Sequence, residues 1–194
     1  MGVTPFSVLI AAYGHLIGEI TGQSEAVIAM ITNGRPIERF QHTIGPFTAP
    51  FPVPVPAAGS PRAAARACHR IVASINARSH YPVADLIGHV PAFSGLPADT
   101  YFTDAGINFT SYRREDDDAW PRVRVIEILG PVEDQEFAAA ESKELLRIPG
   151  LHLVIDLIDD ELRVSFWYHA ERFGGEQVAR WADRYETLVD AERH

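Results

Sequence analysis

The sequence predicts an α/β fold, a two-layer sandwich in which helices pack on one face of a mixed β-sheet. Segments with apolar residues at helical spacing alternate with short apolar or alternating segments, in the order helix, strands, helix, strands, helix. The length of 194 residues and the 46% share of hydrophobic residues suffice for one buried core, and no internal repeat is present. We therefore expect residues 1–194 to form a single domain.

The first helix is expected over residues 5–20, because Thr4 supplies a side-chain cap and Pro5 fits the first helical position. Apolar residues on both sides of this helix indicate that it is covered on most sides. A run of mostly apolar residues at 26–32 ends in Asn33-Gly34. This run predicts a buried strand that leaves into a turn.

The segment 46–61 is dense in proline, so it allows at most an edge strand or an extended loop near residues 51–55. An amphipathic helix is expected next, over residues 61–78. Its polar side carries a basic row, formed by Arg62, Arg66 and Arg70. Two interpretations of this row stay open: a docking surface for an acidic carrier protein, or a solvated helix face without a partner.

The second half of the chain supplies most of the strands. Four strands and a last helix are expected at residues 106–112, 122–129, 151–158, 162–168 and 175–190. The last two of these strands are expected to form a hairpin. The acidic run at residues 115–118 is interpreted as an exposed loop, because no EF-hand pattern surrounds it.

Composition excludes several classes of function. The net charge of −9 repels polyanions, and no basic stretch interleaved with aromatic residues compensates for it, so nucleic acid is not expected as a partner. The single cysteine, Cys68, permits no internal disulfide, and the eight histidines include no metal-binding pair at helical spacing. We expect a cytoplasmic protein without membrane association, bound metal or tightly bound cofactor.

Six segments of the chain, taken in order, point to a known family. They are Gly2-Val3-Thr4-Pro5-Phe6-Ser7-Val8-Leu9, Ile31-Thr32-Asn33-Gly34-Arg35-Pro36, Ile44-Gly45-Pro46-Phe47, Ser79-His80-Tyr81-Pro82-Val83, Gly106-Ile107-Asn108-Phe109 and residues 162–185. Together they resemble the C-terminal lobe of nonribosomal peptide synthetase condensation domains. The resemblance implies the fold of the chloramphenicol acetyltransferase-like acyltransferases.

The chain also departs from this family at two places. Thr48-Ala49-Pro50 stands where the family has Val-Asn-Thr, and Pro54 replaces a family arginine. The resemblance therefore does not carry over to this chain the acceptor-side and tunnel contacts that the family makes there.

The family carries its catalytic histidine in a His-His-x-x-x-Asp-Gly motif on its first lobe, and we do not expect that lobe in this chain. The related position of the second lobe is here Tyr168-His169-Ala170-Glu171-Arg172-Phe173-Gly174, with the second histidine and the glycine in register. The resemblance makes His169 a candidate base, since a positioned imidazole can deprotonate an amine or alcohol near neutral pH. The alternative is a strand-end histidine at an interface between lobes, because Phe173 stands at the aspartate position.

The resemblance implies roles for three further side chains, those of Asn33, Arg35 and Asn108, as groups of a lobe interface or substrate tunnel. The alternative interpretation is that they are turn and strand residues that satisfy backbone hydrogen bonds.

Two functions stay open for a lobe of this family. The first is acyl transfer to an amine or alcohol in secondary-metabolite biosynthesis, from a thioester of coenzyme A or of a carrier-protein phosphopantetheine arm. A homo-oligomer, like the trimer of chloramphenicol acetyltransferase, or a partner chain with the N-terminal lobe would complete the active site. The second is non-catalytic docking of a carrier protein or synthetase. A third interpretation is that the chain is a piece of a larger enzyme. Because a lone lobe exposes an apolar face, we do not expect a monomer.

Overall fold

The computed structural model describes residues 2–35, 37–40, 42–45, 47–79, 89, 103–111, 122–127, 150–158 and 161–193. In these ranges the helices are α1 (Pro5–Thr21), α2 (Pro61–Asn76) and α3 (Gly175–Arg193). The strands are β1 (Glu25–Thr32), β2 (Ala49–Pro56), β3 (Ala105–Ser111), β4 (Arg122–Glu127), β5 (Leu151–Ile158) and β6 (Glu161–Tyr168). The predicted order of elements is confirmed. The acidic run at 115–118 and the motif residues 80–83 lie outside the described residues.

The six strands form one sheet in the order β2-β1-β3-β5-β6-β4. The pairs β1–β2 and β5–β6 are antiparallel, whereas β1–β3, β3–β5 and β4–β6 are parallel. The three helices contact one another and pack on one face of the sheet. Both the mixed sheet and the two-layer α/β fold are therefore as predicted. None of the described helices is long and apolar enough to cross a membrane.

The core lies between this face of the sheet and the helices. The inward-facing strand residues are fully or almost fully buried: Ile28, Met30, Ile107, Leu153, Ile155, Val164 and Phe166. Two buried tyrosines connect elements of the core, Tyr13 joining α1 to the sheet and Tyr185 joining α3 to α1. The Tyr13 hydroxyl donates to the Leu151 carbonyl at 2.9 Å, and the Tyr185 hydroxyl donates to the Leu9 carbonyl at 3.1 Å. These bonds satisfy the polar end of each ring inside the core.

Helix α1 is the central helix, because it packs against both α2 and α3 more extensively than these two pack against each other. Thr4 caps its first turn by accepting a hydrogen bond from the Ser7 N–H, and Pro5 occupies the first helical position, as predicted. The helix ends at Gly22, whose φ of 74° is the left-handed conformation that glycine adopts without strain. Residues on all sides of α1 are buried, which confirms the predicted cover on most sides.

Strand β2 lies at one edge of the sheet, as the prolines predict. Four prolines alternate along it with residues that face the helices: Pro50, Pro52, Pro54 and Pro56. The N–H groups of successive residues point to opposite edges of a strand, so those of every second residue point to the same edge. Because β2 donates to β1 through the residues between the prolines, the prolines direct their donor-free nitrogens to the open edge. This edge therefore resists extension by a further strand.

Candidate functional site

Arg35 organises the loop between β1 and β2. Its guanidinium donates to the carbonyl groups of Phe40 at 2.6 Å, Thr43 at 2.5 Å and Gly45 at 3.2 Å. The guanidinium carbon also lies 4.1 Å from the centre of the Phe47 ring, in cation–π geometry. Most of the N–H donors of the Arg35 guanidinium are therefore used in hydrogen bonds within the loop between β1 and β2.

The turn before Arg35 uses the side chain of Asn33. The Asn33 Oδ1 accepts a hydrogen bond from the Arg35 backbone N–H at 3.1 Å, which is an Asx turn. Gly34 has a φ of 62°, and a Cβ there would lie 1.7 Å from the Phe47 carbonyl oxygen. The glycine is thus required both by conformation and by close approach.

Replacing Arg35 with lysine is expected to destabilise the fold by roughly 1–3 kcal/mol, because an ammonium group does not reproduce the planar fork that reaches three carbonyls. Urea unfolding followed by circular dichroism measures this change. Arg180→Lys is the matched control, because Arg180 is exposed on α3 and its substitution is expected to change stability by less than about 0.5 kcal/mol. Equal stability of the two variants would show that the Arg35 contacts do not hold the loop.

A cavity of about 420 Å³ opens beside this loop. Asn33, Arg35 and Asn76 line its polar side, and Phe6 and Phe109 line its apolar side. The two phenylalanine rings lie 5.4 Å apart. The cavity therefore combines an apolar wall with amide and guanidinium groups at the end of β1.

Asn108 lies on the other face of the sheet from this cavity. Its neighbours Ile107 and Phe109 belong to the core side, and alternation along β3 directs Asn108 away from the helices. It pairs with Val154 of β5. The structure thus brings Asn33 and Arg35 together and separates Asn108 from both.

His169 follows directly after the last residue of β6 and is exposed. Its backbone N–H donates to the Gly150 carbonyl at 3.3 Å, and its carbonyl accepts from the N–H groups of Arg172 and Phe173. The residues 169–174, called here the His169 loop, therefore form a tight turn at the end of the sheet.

An ion pair and a ring contact hold this loop. The Arg172 guanidinium donates to both carboxylate oxygens of Asp104, at 3.0 and 2.9 Å. The hydrogen bond from Arg172 is the main reason that the pKa of Asp104 lies below its usual range, and the nearby His169 lowers this pKa further. On the other side, the Phe173 ring packs edge-on against Trp181 of α3 at 5.3 Å.

The sequence-predicted residues lie at two ends of the sheet. β1 and β3 run parallel, so Asn33, after β1, is level with the end of β3. His169 is level with Asp104, the residue before β3, because Tyr168 pairs with Leu151 and Leu151 pairs with Ala105. Six strand residues at roughly 3.3 Å each separate the two levels, so His169 and Asn33 are about 20 Å apart along the strand direction alone. One copy of the described lobe does not place His169 beside Asn33 and Arg35.

Sequence reasoning missed a pair on the face of the sheet that the described helices leave uncovered. His152 of β5 lies directly opposite Trp167 of β6. Burial lowers the pKa of His152 to about 4 from its ordinary value of 6.5. Strand alternation indicates the face of the sheet on which a residue lies, but only the strand register gives the pairing of His152 with Trp167.

The partly buried His152 predicts acid sensitivity. Its folded-state pKa is depressed, so the unfolded chain binds a proton below pH 6.5 that the folded chain does not bind until about pH 4. Stability is expected to fall by on the order of 3 kcal/mol as the pH drops through this window. Urea unfolding between pH 4 and 7 measures the slope. His152→Phe is expected to reduce it, and His42→Phe, at an exposed loop position, is expected to leave it unchanged.

The comparisons with known proteins decide the family. The model of the condensation domain matches residues 1–192 of the chain. The chain belongs to the condensation domain family. No curated protein matches it in sequence. Condensation-type folds nevertheless match it in structure.

Three solved structures illustrate the likeness of this condensation-family chain. The epimerization domain from the third module of tyrocidine synthetase B has 20% identity and a TM-score of 0.61, with 99% of this chain and 42% of that chain covered. The first condensation domain of the CDA synthetase has 16% identity and a TM-score of 0.62, with 96% and 39% covered. PapA2 acyl transferase has 14% identity and a TM-score of 0.67, with 100% and 40% covered. The condensation-family chain thus spans about two fifths of the length of these structures.

The His169 loop departs from the condensation motif in a specific way. In the register that the resemblance implies, Phe173 stands at the position of the motif aspartate. The loop instead carries the cation, Arg172, and takes its carboxylate from Asp104 at the start of β3. The sequence motif did not reveal this pairing, because its two members are 68 residues apart. Asp104 also supplies an anionic group near His169.

Proposed function

We propose that this condensation-family lobe takes part in acyl transfer from a thioester to an amine or alcohol. The donor is an acyl group on coenzyme A or on the phosphopantetheine arm of a carrier protein. The observation that carries this proposal is the exposed His169 on a loop held from two sides, in a chain that belongs to the condensation domain family.

His169 acts in this proposal as the general base. Its imidazole takes the proton from the attacking amine or alcohol while the acceptor attacks the thioester carbonyl, and the thiol leaves from the tetrahedral intermediate. A base must be held in position, and the His169 loop provides this through Arg172–Asp104 and Phe173–Trp181.

A second lobe completes the active site in this proposal. His169 and the Asn33–Arg35 cavity lie at opposite ends of the sheet, so one lobe offers a base at one end and a cavity at the other. A head-to-tail contact with a second copy, or with the lobe of a partner chain, would place the two ends together. The edge of β2 is closed to strand addition by its prolines, so we do not expect the second lobe to add a strand at that edge.

Acyl transfer is tested by incubating the chain with acyl-coenzyme A or acyl-carrier donors and a panel of amines and alcohols. Mass spectrometry measures the acylated acceptor, and a thiol reagent measures the released thiol. We expect product formation that requires the chain. Product no faster than in buffer, both for the chain alone and after addition of an N-terminal condensation lobe, would contradict the proposal.

The basic row supports a carrier-protein partner. Arg62, Arg66 and Arg70 are exposed on α2, and none has a carboxylate partner in the part of the chain that the structure describes. Eight residues of helix separate the first from the last, so the row spans about 12 Å. Such a row on a chain of net charge −9 offers a local attraction for an acidic protein.

Reversing a single charge of this row, as in Arg66→Glu, is expected to weaken binding of an acidic holo carrier protein about threefold to tenfold at low salt. Fluorescence anisotropy of a labelled carrier measures the affinity. Arg180→Glu changes the net charge equally on another helix and is expected to leave binding unchanged. If both variants bind the carrier as tightly as the parent does, the basic row of α2 is a solvated helix face and does not bind the carrier.

Non-catalytic docking of a carrier protein is the second candidate function, and the same basic row favours it. The two functions differ in one result. Docking alone gives carrier binding that depends on Arg66 without any acylated acceptor, whereas acyl transfer gives both.

A further inference from the structure

Gly150, the residue before β5, lies among the groups that hold the His169 loop. Its carbonyl accepts a hydrogen bond from the His169 N–H at 3.3 Å. Its Cα lies against the Arg172 guanidinium, since a Cβ built there would be 2.5 Å from Nη1 and 3.0 Å from Cζ. Its N–H also contributes to the lowered pKa of Asp104. One buried residue is thus next to all three members of this arrangement.

The backbone conformation does not require a glycine at this position. Gly150 does not have the positive φ that is found at Gly22 and Gly34, so an L-residue fits its backbone. What excludes a side chain is the Arg172 guanidinium, which occupies the place of the missing Cβ. The absence of a side chain at residue 150 and the position of Arg172 therefore depend on each other.

The position of Arg172 needs such support. Its side chain and that of Asp104 are 48% and 74% exposed, and exposed ion pairs contribute little unless their geometry is fixed. Asp104 binds the guanidinium through two hydrogen bonds, and the Phe173 ring lies 5.4 Å from the guanidinium carbon. The Gly150 backbone supports a further side. Arg172 is in turn connected to His169, because its backbone N–H donates to the His169 carbonyl at 2.9 Å.

We propose that Gly150 is a positioning residue for His169. Because it has no side chain, the Arg172 guanidinium lies against the backbone where it reaches both carboxylate oxygens of Asp104. This contact fixes the turn that presents the His169 imidazole. The consequence for acyl transfer rests on the proposed function, whereas the positioning of the loop does not.

Gly150→Ala tests the positioning without any assay of activity. The added methyl group meets the flexible end of the Arg172 side chain, so the thermal midpoint is expected to fall by less than about 3 °C. The pKa of Asp104, measured by carboxyl carbon NMR, is expected to rise toward its ordinary value as Arg172 moves away. Solvent exchange of the Arg172 and Phe173 amide hydrogens, which bond to the His169 carbonyl, is expected to become about threefold to tenfold faster.

Two controls make these readouts specific. Gly174→Ala adds a methyl group where no atom lies within 4 Å, so the pKa of Asp104 is expected to stay at its parental value. Arg172→Ala removes the group that the new methyl meets, so adding Gly150→Ala to it is expected to change neither readout further. If Gly150→Ala leaves both readouts at parental values, or changes them equally with and without the Arg172 guanidinium, the proposal is overturned.

In the acyl-transfer assay, Gly150→Ala is expected to lower kcat about tenfold and to leave the KM for the thioester unchanged. This split is expected because the substitution moves the base and leaves substrate binding intact. An unchanged kcat despite a displaced Arg172 would contradict the role of Gly150 in positioning His169. The expected NMR changes in a chain that transfers no acyl group would support the positioning of the loop and contradict only the proposed function.

Discussion

Replacing His169 with alanine is expected to lower the rate of acyl transfer by about 10²- to 10⁴-fold, because this is what a positioned general base contributes. The His169 side chain is exposed, so its removal is expected to leave the fold intact. The measurement is the initial rate of acylated product at saturating thioester, for variant and parent at equal concentration. The thermal unfolding midpoint, measured in parallel, separates lost chemistry from lost structure.

Two comparisons make the His169 result specific. His42→Ala removes another exposed histidine and is expected to retain the parental rate. Asp104→Asn removes the anionic partner of Arg172 and is expected to lower the rate less than His169→Ala, since it acts only through the position of the His169 loop. A His169→Ala enzyme that transfers acyl groups at the parental rate would remove His169 from the mechanism.

Replacing Gly18 with valine is expected to destabilise the fold by roughly 3 kcal/mol or more. A Cβ at Gly18 would lie 2.5 Å from the Ala57 carbonyl oxygen, 2.7 Å from the Ala57 Cβ and 2.9 Å from the Gln23 carbonyl oxygen. These are mostly backbone atoms, so α1 would have to move away from the end of β2. The expected fall in the thermal midpoint is on the order of 10 °C.

Gly174→Val is the matched control for this substitution. A Cβ at Gly174 meets no atom within 4 Å. Gly174 lies at the start of α3, where its carbonyl accepts from the N–H groups of Gln177 and Val178, so valine is expected to cost less than about 1 kcal/mol. Equal midpoints for the two variants would show that α1 and β2 do not approach as closely as the structure places them.

Elements with strong local signals were predictable from the sequence. Thr4 and Pro5 predicted the start of α1, and the spaced prolines predicted an edge strand. The alternation of apolar and polar residues predicted the hairpin of β5 and β6. Each of these signals acts within a few residues of the chain. The family resemblance, spread over segments in a fixed order, was confirmed by the match over residues 1–192.

The site was less predictable because it depends on contacts between distant segments. Asn33 and Arg35 were singled out by motif, yet only the structure shows that their side chains hold a turn and a loop. The carboxylate that pairs with Arg172 comes from Asp104, and no spacing rule connects the two. The register of β5 and β6 likewise places His152 opposite Trp167, which alternation alone does not specify.

The claim that two lobes meet to form the active site is tested most directly by dilution. Light scattering gives the solution mass and the acyl-transfer assay gives the rate per chain at the same concentrations. We expect turnover only where the mass exceeds that of one 21.4 kDa chain, through a second copy or an added partner lobe, and we expect both to fall together on dilution. A monomer of 21.4 kDa that retains the full rate per chain would contradict an active site shared between lobes.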